Sequence, residues 1–347
     1  MTTPEMRYVF ADAQTKHDPK FFLASGIISK NEEVPARAEI LAEGAEKAGL
    51  TRVAPEDYGL GVISRCHTPE YLQFLKNIYT RWSRKPGAPK EVIPNIHPQR
   101  RDFGYPAAAD GQVGYHTADT SAPIGEHTWE SAYWSAQTAA HAAELVLGGA
   151  SSAYALCRPP GHHAMRDIAG GFCYLNNSGV AAEVLRQRHE RVAILDIDVH
   201  HGNGTQDVFY ERADVLTISL HVDPVRFYPF FWGHADERGD GAGQGYNLNI
   251  PLRRRTADDD YLTALDQALE RIDAFVPGAL VLALGLDSFE GDPFEGLSVS
   301  TPGFARIADA ISKRGYPTVI VQEGGYICPE LGDNLTSFLT GFTAARG

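Results

Sequence analysis

The segment LDIDVHHGNG (195–204) places two aspartates and a histidine at every second position. In a strand, Asp196, Asp198 and His200 would share one face, and Leu195, Ile197 and Val199 the other. Two carboxylates and an imidazole in an apolar setting cost several kcal/mol each to bury uncompensated, so the pattern asks for cations nearby. Asp287, which closes the apolar run ALVLALGLD (279–287), supplies a third ligand. Asp198, His200 and Asp287 would neutralise one divalent ion. Three protein ligands with a position left open is the catalytic zinc arrangement, and this oxygen-rich set also accepts Fe(II) or Co(II). The bland readings are an exposed edge strand with one polar face and, for Asp287 alone, a helix cap. The apolar flanks and the combination of three ligands outweigh them.

Two further segments carry chemistry. In CRPPGHH (157–163), two prolines and a glycine stiffen the entry to the tandem pair His162 and His163. Beside a metal such a pair could provide the base that deprotonates water and the acid that protonates a leaving nitrogen. In QEGGY (322–326), a turn after a strand could present the phenol of Tyr326 to the same place. A tandem histidine or a strand-end tyrosine alone is more often structural.

The elements that must hold these groups are legible as short β-branched runs at 152–157, 191–200, 214–221, 279–287 and 317–326. Runs apolar on both faces suit a parallel sheet covered by helices, and 178–190, 258–275 and 302–315 have helical spacing. Thr301 and Pro302 read as an N-cap and first-turn proline, and Gly315 as a stop. The expectation is one α/β domain over 1–347, doubly wound, its sheet mostly parallel with helices on both faces. Ligand sites in such sheets form at the carboxyl ends of strands, where His162, His163, Asp198, His200, His221, Asp287 and Tyr326 all fall. The exception to regularity is 76–125, rich in Pro and Gly and without sustained periodicity, before a helix over 129–147. A stretch this long reads either as a solvated charged loop or, more sharply, as a subunit contact that also forms a site rim. Its cations Arg81, Arg84, Lys85, Lys90, Arg100 and Arg101 face only Glu91 before Asp102.

The 347 residues include 31 Lys+Arg against 44 Asp+Glu, a net charge of −13. That balance argues against a nucleic-acid or anionic-membrane partner and permits a cationic substrate. The start of the chain lacks a cationic region followed by an apolar one, and no aliphatic stretch approaches the ~20 residues that span a bilayer, which reads as cytoplasmic. Cys66, Cys157, Cys173 and Cys328 form no CxxC pair, so neither a disulfide frame nor a cysteine zinc site is expected.

The motifs RPPGHHA (158–164), GGFCYLNN (170–177), LDIDVHHGNGTQDVFY (195–210), SLH (219–221), GLDSFEGDP (285–293) and EGGY (323–326) together resemble the arginase/deacetylase superfamily. The likeness is to the zinc-dependent histone deacetylases and their bacterial relatives, the acetylpolyamine amidohydrolases; VPARAEIL (34–41) and the long loop before HTWESA (127–132) look more like the second branch. The resemblance implies zinc on Asp198, His200 and Asp287, His163 as general base and later acid, and His162 as its companion bonded to Asp196. Tyr326 would donate to the scissile carbonyl. Phe172 and Tyr228, with Gly171 beside them, would wall the substrate's aliphatic arm, although most relatives carry phenylalanine at the second position. Structural potassium is implied at Asp196, Asp198, His200, Ser219 and Leu220, and again at Phe209, Arg212, Val215 and Tyr246. The acetylpolyamine branch further implies a homodimer, or a higher homo-oligomer, built through the long loop.

Asn203 departs from the histone deacetylases that place an aspartate beside the second histidine. An amide adds no negative charge, so His163 is expected to be neutral and competent as a base near pH 7. Glu295, just after Asp287, reads either as an ordinary exposed loop glutamate or as a carboxylate at the pocket rim that pairs with a distal ammonium; failing it, the cation would be read by Asp110, Asp119 or a carboxylate of a partner subunit. The reading is a zinc-dependent hydrolase that deacetylates acetylpolyamines or similar slender cationic amines. The alternatives are an acetyl-lysine protein deacetylase, a guanidine hydrolase needing more carboxylates for a second metal, and an inactive binding module.

Overall fold

In the computed structural model, which describes residues 6–102 and 104–346, the β-branched runs assemble into one eight-stranded sheet. Residues 1–5, Phe103 and Gly347, though covered by the domain and loop assignments above, lie outside the described residues. Along the chain the elements are β1 (Arg7–Val9), a hairpin of β2 (Phe21–Ala24) and β3 (Ile27–Lys30), α1 (Ala36–Lys47), β4 (Thr51–Val53), α2 (Leu60–Ile63), α3 (Pro69–Trp82), α4 (Ala109–Tyr115), α5 (Thr128–Leu147), β5 (Ser152–Ala155) and α6 (Asn177–Leu185). There follow β6 (Val192–Asp196), α7 (Asn203–Phe209), β7 (Val215–Val222), β8 (Asn247–Leu252), α8 (Asp258–Phe275), β9 (Ala279–Leu284), α9 (Thr301–Ser312), β10 (Thr318–Gln322) and α10 (Leu331–Ala344). The sheet order is β4-β1-β5-β10-β9-β6-β7-β8, and every neighbouring pair is parallel.

Alternation along the strands divides the core in two. Ala193, Leu195, Leu280, Leu282 and Ile320 pack with α1, α8, α9 and α10. Val192, Ile194, Val281, Val319 and Val321 pack with α3, α5 and α6 on the other face. Strands buried on both faces read as unbroken apolar runs, which is why the sequence exposed them.

Three expectations are corrected. The strand in LDIDVHH ends at Asp196, so Asp198 and His200 lie in the turn beyond it and do not share a strand face. Ser300, not Thr301, caps α9: its side chain accepts from the N–H of Gly303, and Pro302 occupies the first turn. The segment 76–125 is not structureless, because α3 runs to Trp82 and α4 lies within it. In α3, Thr68 caps the N-terminus and the buried face Tyr71, Leu72, Phe74, Leu75, Ile78 and Trp82 continues the helix across residue 76. Four of the loop's cations find partners: Arg81 meets Gln112 and the carbonyl of Ala107, Lys85 meets Asp110, Arg100 meets Asp102, and Arg101 clamps Asp167 at 2.8 and 2.7 Å.

Candidate metal and catalytic site

The loops leaving β6, β9 and β10 converge beyond the carboxyl edge of the sheet. After Asp196, the chain turns on its own side chains: Asp196 Oδ1 accepts from the N–H of Asp198 at 3.0 Å, and Asp198 Oδ1 from the N–H of His200 at 2.9 Å. Such side-chain turns replace ladder bonds where a strand must stop. Asp287, three residues past β9, accepts from the N–H of Val199 at 3.1 Å through Oδ1, while its buried Oδ2 makes no well-aligned hydrogen bond, Nδ1 of His200 lying 3.3 Å away. The candidate ligand atoms of Asp198, His200 and Asp287 all lie within 4.8 Å of one another, and all three residues are buried.

The donor chemistry fits a divalent ion. Burial pushes the carboxyl of Asp287 up, and the neighbouring Asp198 pushes it further. The imidazole of His200, which burial alone would hold neutral, is pushed up to about 9 by those same two carboxylates. The cluster therefore demands positive charge. Gly285 and Gly324 line the same space, where an added Cβ would fall on the Asp198 carboxylate and, at Gly324, on Asp287 as well.

Beside this cluster stand the two histidines. Glu323, fully buried, accepts from the N–H groups of Gly161 at 2.7 Å and His162 at 3.0 Å, and from the hydroxyl of Ser178 at 2.8 Å. Burial pushes its carboxyl up to about 7, against the pull of His162. Nδ1 of His162 lies 2.9 Å from Asp196 Oδ2, and Nδ1 of His163 lies 2.6 Å from Asn203 Oδ1. Asn203, the first residue of α7, thus leaves Nε2 of His163 as the free nitrogen. Burial first, then His162 and His200, hold His163 well below the ordinary histidine range, in line with a neutral base.

Tyr326 is placed by backbone anchors. Asp292 Oδ2 accepts from its N–H at 3.0 Å, and Arg37 on α1 donates to the carbonyls of Gly325 at 2.6 Å and Glu323 at 2.8 Å. The Arg37 guanidinium sits 4.9 Å from the Tyr326 ring centroid and is bound to buried Glu33. Burial raises the phenol well above its ordinary value, so it is a proton donor at neutral pH.

These groups floor a cavity of about 190 Å³ lined by Phe22, Ser121, His163, Gly171, Phe172, His200, Phe227, Tyr228, Phe294 and Tyr326. Phe172 meets Phe22 edge-on at 5.5 Å, and Phe227 stacks on His200 at 5.1 Å. The Tyr228 hydroxyl donates to Asp119 at 2.6 Å, and Asp119 also accepts from the N–H of Gly171 at 3.2 Å. Glu295 is elsewhere: it is exposed and lines a separate cleft of about 670 Å³ with Glu290, Asp292 and Glu330. The residues named for potassium flank β7. Asp196 and Ser219 are register partners, with Asp198, His200 and Leu220 nearby in the chain, while Phe209, Arg212, Val215 and Tyr246 border the opposite end of that strand.

Sequence reasoning missed Phe22, Phe227, Phe294, Arg37, Asp292 and the carboxylate of Glu323. Phe294 and Glu323 adjoin or lie within quoted motifs, and the polar neighbours of Glu323 were the available signal. Phe22 sits on a hairpin far away in the chain, and no local pattern marks it.

A family model described as the histone deacetylase domain matches residues 31–342. The chain is 46% identical over 342 residues to the acetylpolyamine amidohydrolase of Burkholderia pseudomallei, covering 97% of this chain and 99% of that protein. It is 40% identical over 339 residues to the acetylpolyamine amidohydrolase of Mycoplana ramosa, covering 97% and 99%. Among solved structures, the acetylpolyamine aminohydrolase of Burkholderia pseudomallei superposes with a TM-score of 0.95 at 45% identity, over 98% of this chain and 99% of that one.

Proposed function

Since the chain belongs to the histone deacetylase family, we propose that it hydrolyses the acetyl amide of acetylpolyamines or similarly slender acetylated amines. The observation that carries this reading is the placing of His163, His200 and Tyr326 together in a narrow aromatic cavity. Phe172, Tyr228, Phe22 and Phe294 admit an aliphatic chain, and the Asp119 carboxylate, bonded to Tyr228 and Gly171 behind that wall, adds negative charge beside it.

Asp198, His200 and Asp287 would hold the metal ion, zinc or alternatively Fe(II) or Co(II). When bound, the ion supplies Lewis-acid polarisation of the acetyl carbonyl and acidifies water. The protein's own groups do the rest. His163, neutral and with Nε2 free, takes the proton from the attacking water and returns it to the leaving amine. His162, bonded to Asp196, stays beside it as an electrostatic companion. Tyr326 donates its phenol proton in a hydrogen bond to the carbonyl oxygen as negative charge develops there.

Potassium at the two sets flanking β7 would offset the buried Asp196. The segment 76–125 would form a homodimer contact at the rim. No helix among the described residues is long and apolar enough to cross a membrane. With the net charge of −13, that supports a cytoplasmic enzyme of small molecules rather than of nucleic acid or membranes.

The test is one screen of acetylputrescine, acetylcadaverine, acetylspermidine and acetyl-lysine peptides. Turnover of the free amines at least tenfold faster than of the peptides is expected. Preference for the peptides would establish the protein-deacetylase alternative, and no turnover by metal-loaded protein would support the binding module.

A further inference from the structure

The loop joining β7 to β8 carries Phe227 and Tyr228 into the cavity near its start, then returns to β8 at the edge of the sheet. The return is organised around one carboxylate oxygen. Oε2 of Glu237 accepts from the amide of Gln206 at 2.7 Å, the N–H of Gly233 at 2.9 Å and the amide of Asn249 at 3.2 Å. The Glu237 carbonyl accepts from the amide of Asn247 at 2.8 Å. Gln206 Oε1 accepts in turn from Asn247 and Asn249, both at 2.9 Å. Gln206, Asn247 and Asn249 are all buried.

Two links tie this cluster to the site. Gln206 lies one turn along α7 from Asn203, the residue bonded to His163. Gly233 is held on its other side by His221, whose Nε2 lies 2.9 Å from its carbonyl oxygen. A Cβ at Gly233 would sit 2.7 Å from the ring of His201 and 2.8 Å from that of His221, at a backbone φ of +102°. The loop is therefore fastened there through backbone groups alone, and Glu237 is the fastener.

We propose that Glu237 is a positioning residue whose carboxylate holds the Phe227–Tyr228 wall in register with α7, the helix that orients the partner of His163. Its acceptor oxygen is what suits it to the task. One side-chain oxygen at this reach accepts from three N–H groups at once. With alanine there, Gln206, Gly233 and Asn249 lose an acceptor, and the loop behind the wall loosens although Tyr228 keeps its bond to Asp119 and Gly233 its contact with His221. Glutamine keeps one acceptor oxygen and should restore much of the arrangement.

The inference rests on the deacetylase reading only for its choice of substrate, so one readout uses none. In metal-loaded protein, Glu237→Ala should speed hydrogen exchange in peptides spanning 223–240 and 203–209, while Glu237→Gln stays close to wild type. With acetylputrescine, the alanine variant should lower kcat/KM roughly tenfold, KM rising more than kcat falls, and glutamine should recover it to within about threefold. Unchanged exchange in the alanine variant, an unchanged KM, or a glutamine variant as impaired as alanine would overturn the proposal. If wild-type protein leaves acetylputrescine untouched, the functional reading fails and the exchange experiment alone decides.

Discussion

Asn203 Oδ1 stands 2.6 Å from Nδ1 of His163, so the ring is oriented by a neutral amide at the point where an aspartate would add charge. Burial, His162 and His200 all hold His163 below its ordinary range, so the acid limb it sets in kcat/KM should lie below pH 6.5. Asn203→Asp places a negative charge against the ring and favours the imidazolium, so the limb should move up by about one unit or more. A pH profile of the two proteins checks this. An unmoved limb would assign it to another group.

Asp198→Ala, His200→Ala and Asp287→Ala should each remove bound metal and lower activity by roughly a thousandfold or more, because two ligands cannot retain the ion. Far-UV circular dichroism should stay native, since the apolar core lies along the strands below. Chelation of the wild type should give the same result reversibly. Stoichiometric metal with normal turnover in any variant would remove that residue from the ligand set.

Tyr326→Phe deletes one hydroxyl and keeps the ring against Phe294 and Phe172. KM should change little while kcat falls roughly a hundredfold to a thousandfold, the usual loss for one donor to an oxyanion. Equal turnover would mean the phenol does not reach the carbonyl.

The carboxylates near the mouth separate by position. Glu295 is exposed and lines a different cleft, so Glu295→Leu should change kcat/KM for acetylspermidine by less than about threefold, as screening predicts. Asp119 bonds two residues of the cavity wall, and Asp119→Asn should lower it by about tenfold or more relative to an uncharged acetyl-lysine amide. The reverse ranking would return selectivity to Glu295.

Glu33 is fully buried between two arginines, with Oε1 2.8 Å from Nη1 of Arg37 and 2.8 Å from Nε of Arg158. Glu33→Gln would leave two buried guanidiniums without their counter-charge, at a cost of about 3–5 kcal/mol. Urea titration measures it, and a loss under about 1 kcal/mol would show that the carbonyls around Arg158 suffice.

Much of the site was legible because its chemistry sits at strand ends, and central parallel strands announce themselves as apolar runs. Asp198, His200, Asp287 and the histidine pair could be read that way even though the strand stopped at Asp196, two residues before the first ligand. The convergence survived the error because the turns beyond the strand are made by the same aspartates. The walls were less legible. Phe22 comes from a hairpin whose local sequence has no period, and only tertiary packing brings it to Phe172; Asp119 could be named from its charge as one of several loop carboxylates, but its bond to Tyr228 could not. Arg37 reads locally as an ordinary helical arginine; its partners, Glu323 and Gly325, are nearly three hundred residues away.

The position of β10 bears on the order in which the molecule can be built during synthesis. Because β10 lies between β5 and β9, the strand pairings possible before Thr318 is made fall into two sets, β4-β1-β5 and β9-β6-β7-β8. The second set carries all three candidate ligands and Asn203, whereas His162 and His163 follow the first. Glu323, which fixes the backbone of Gly161 and His162, arrives only with the inserted strand. The strand made last is therefore the one that joins the candidate ligands to the histidine pair across a single sheet.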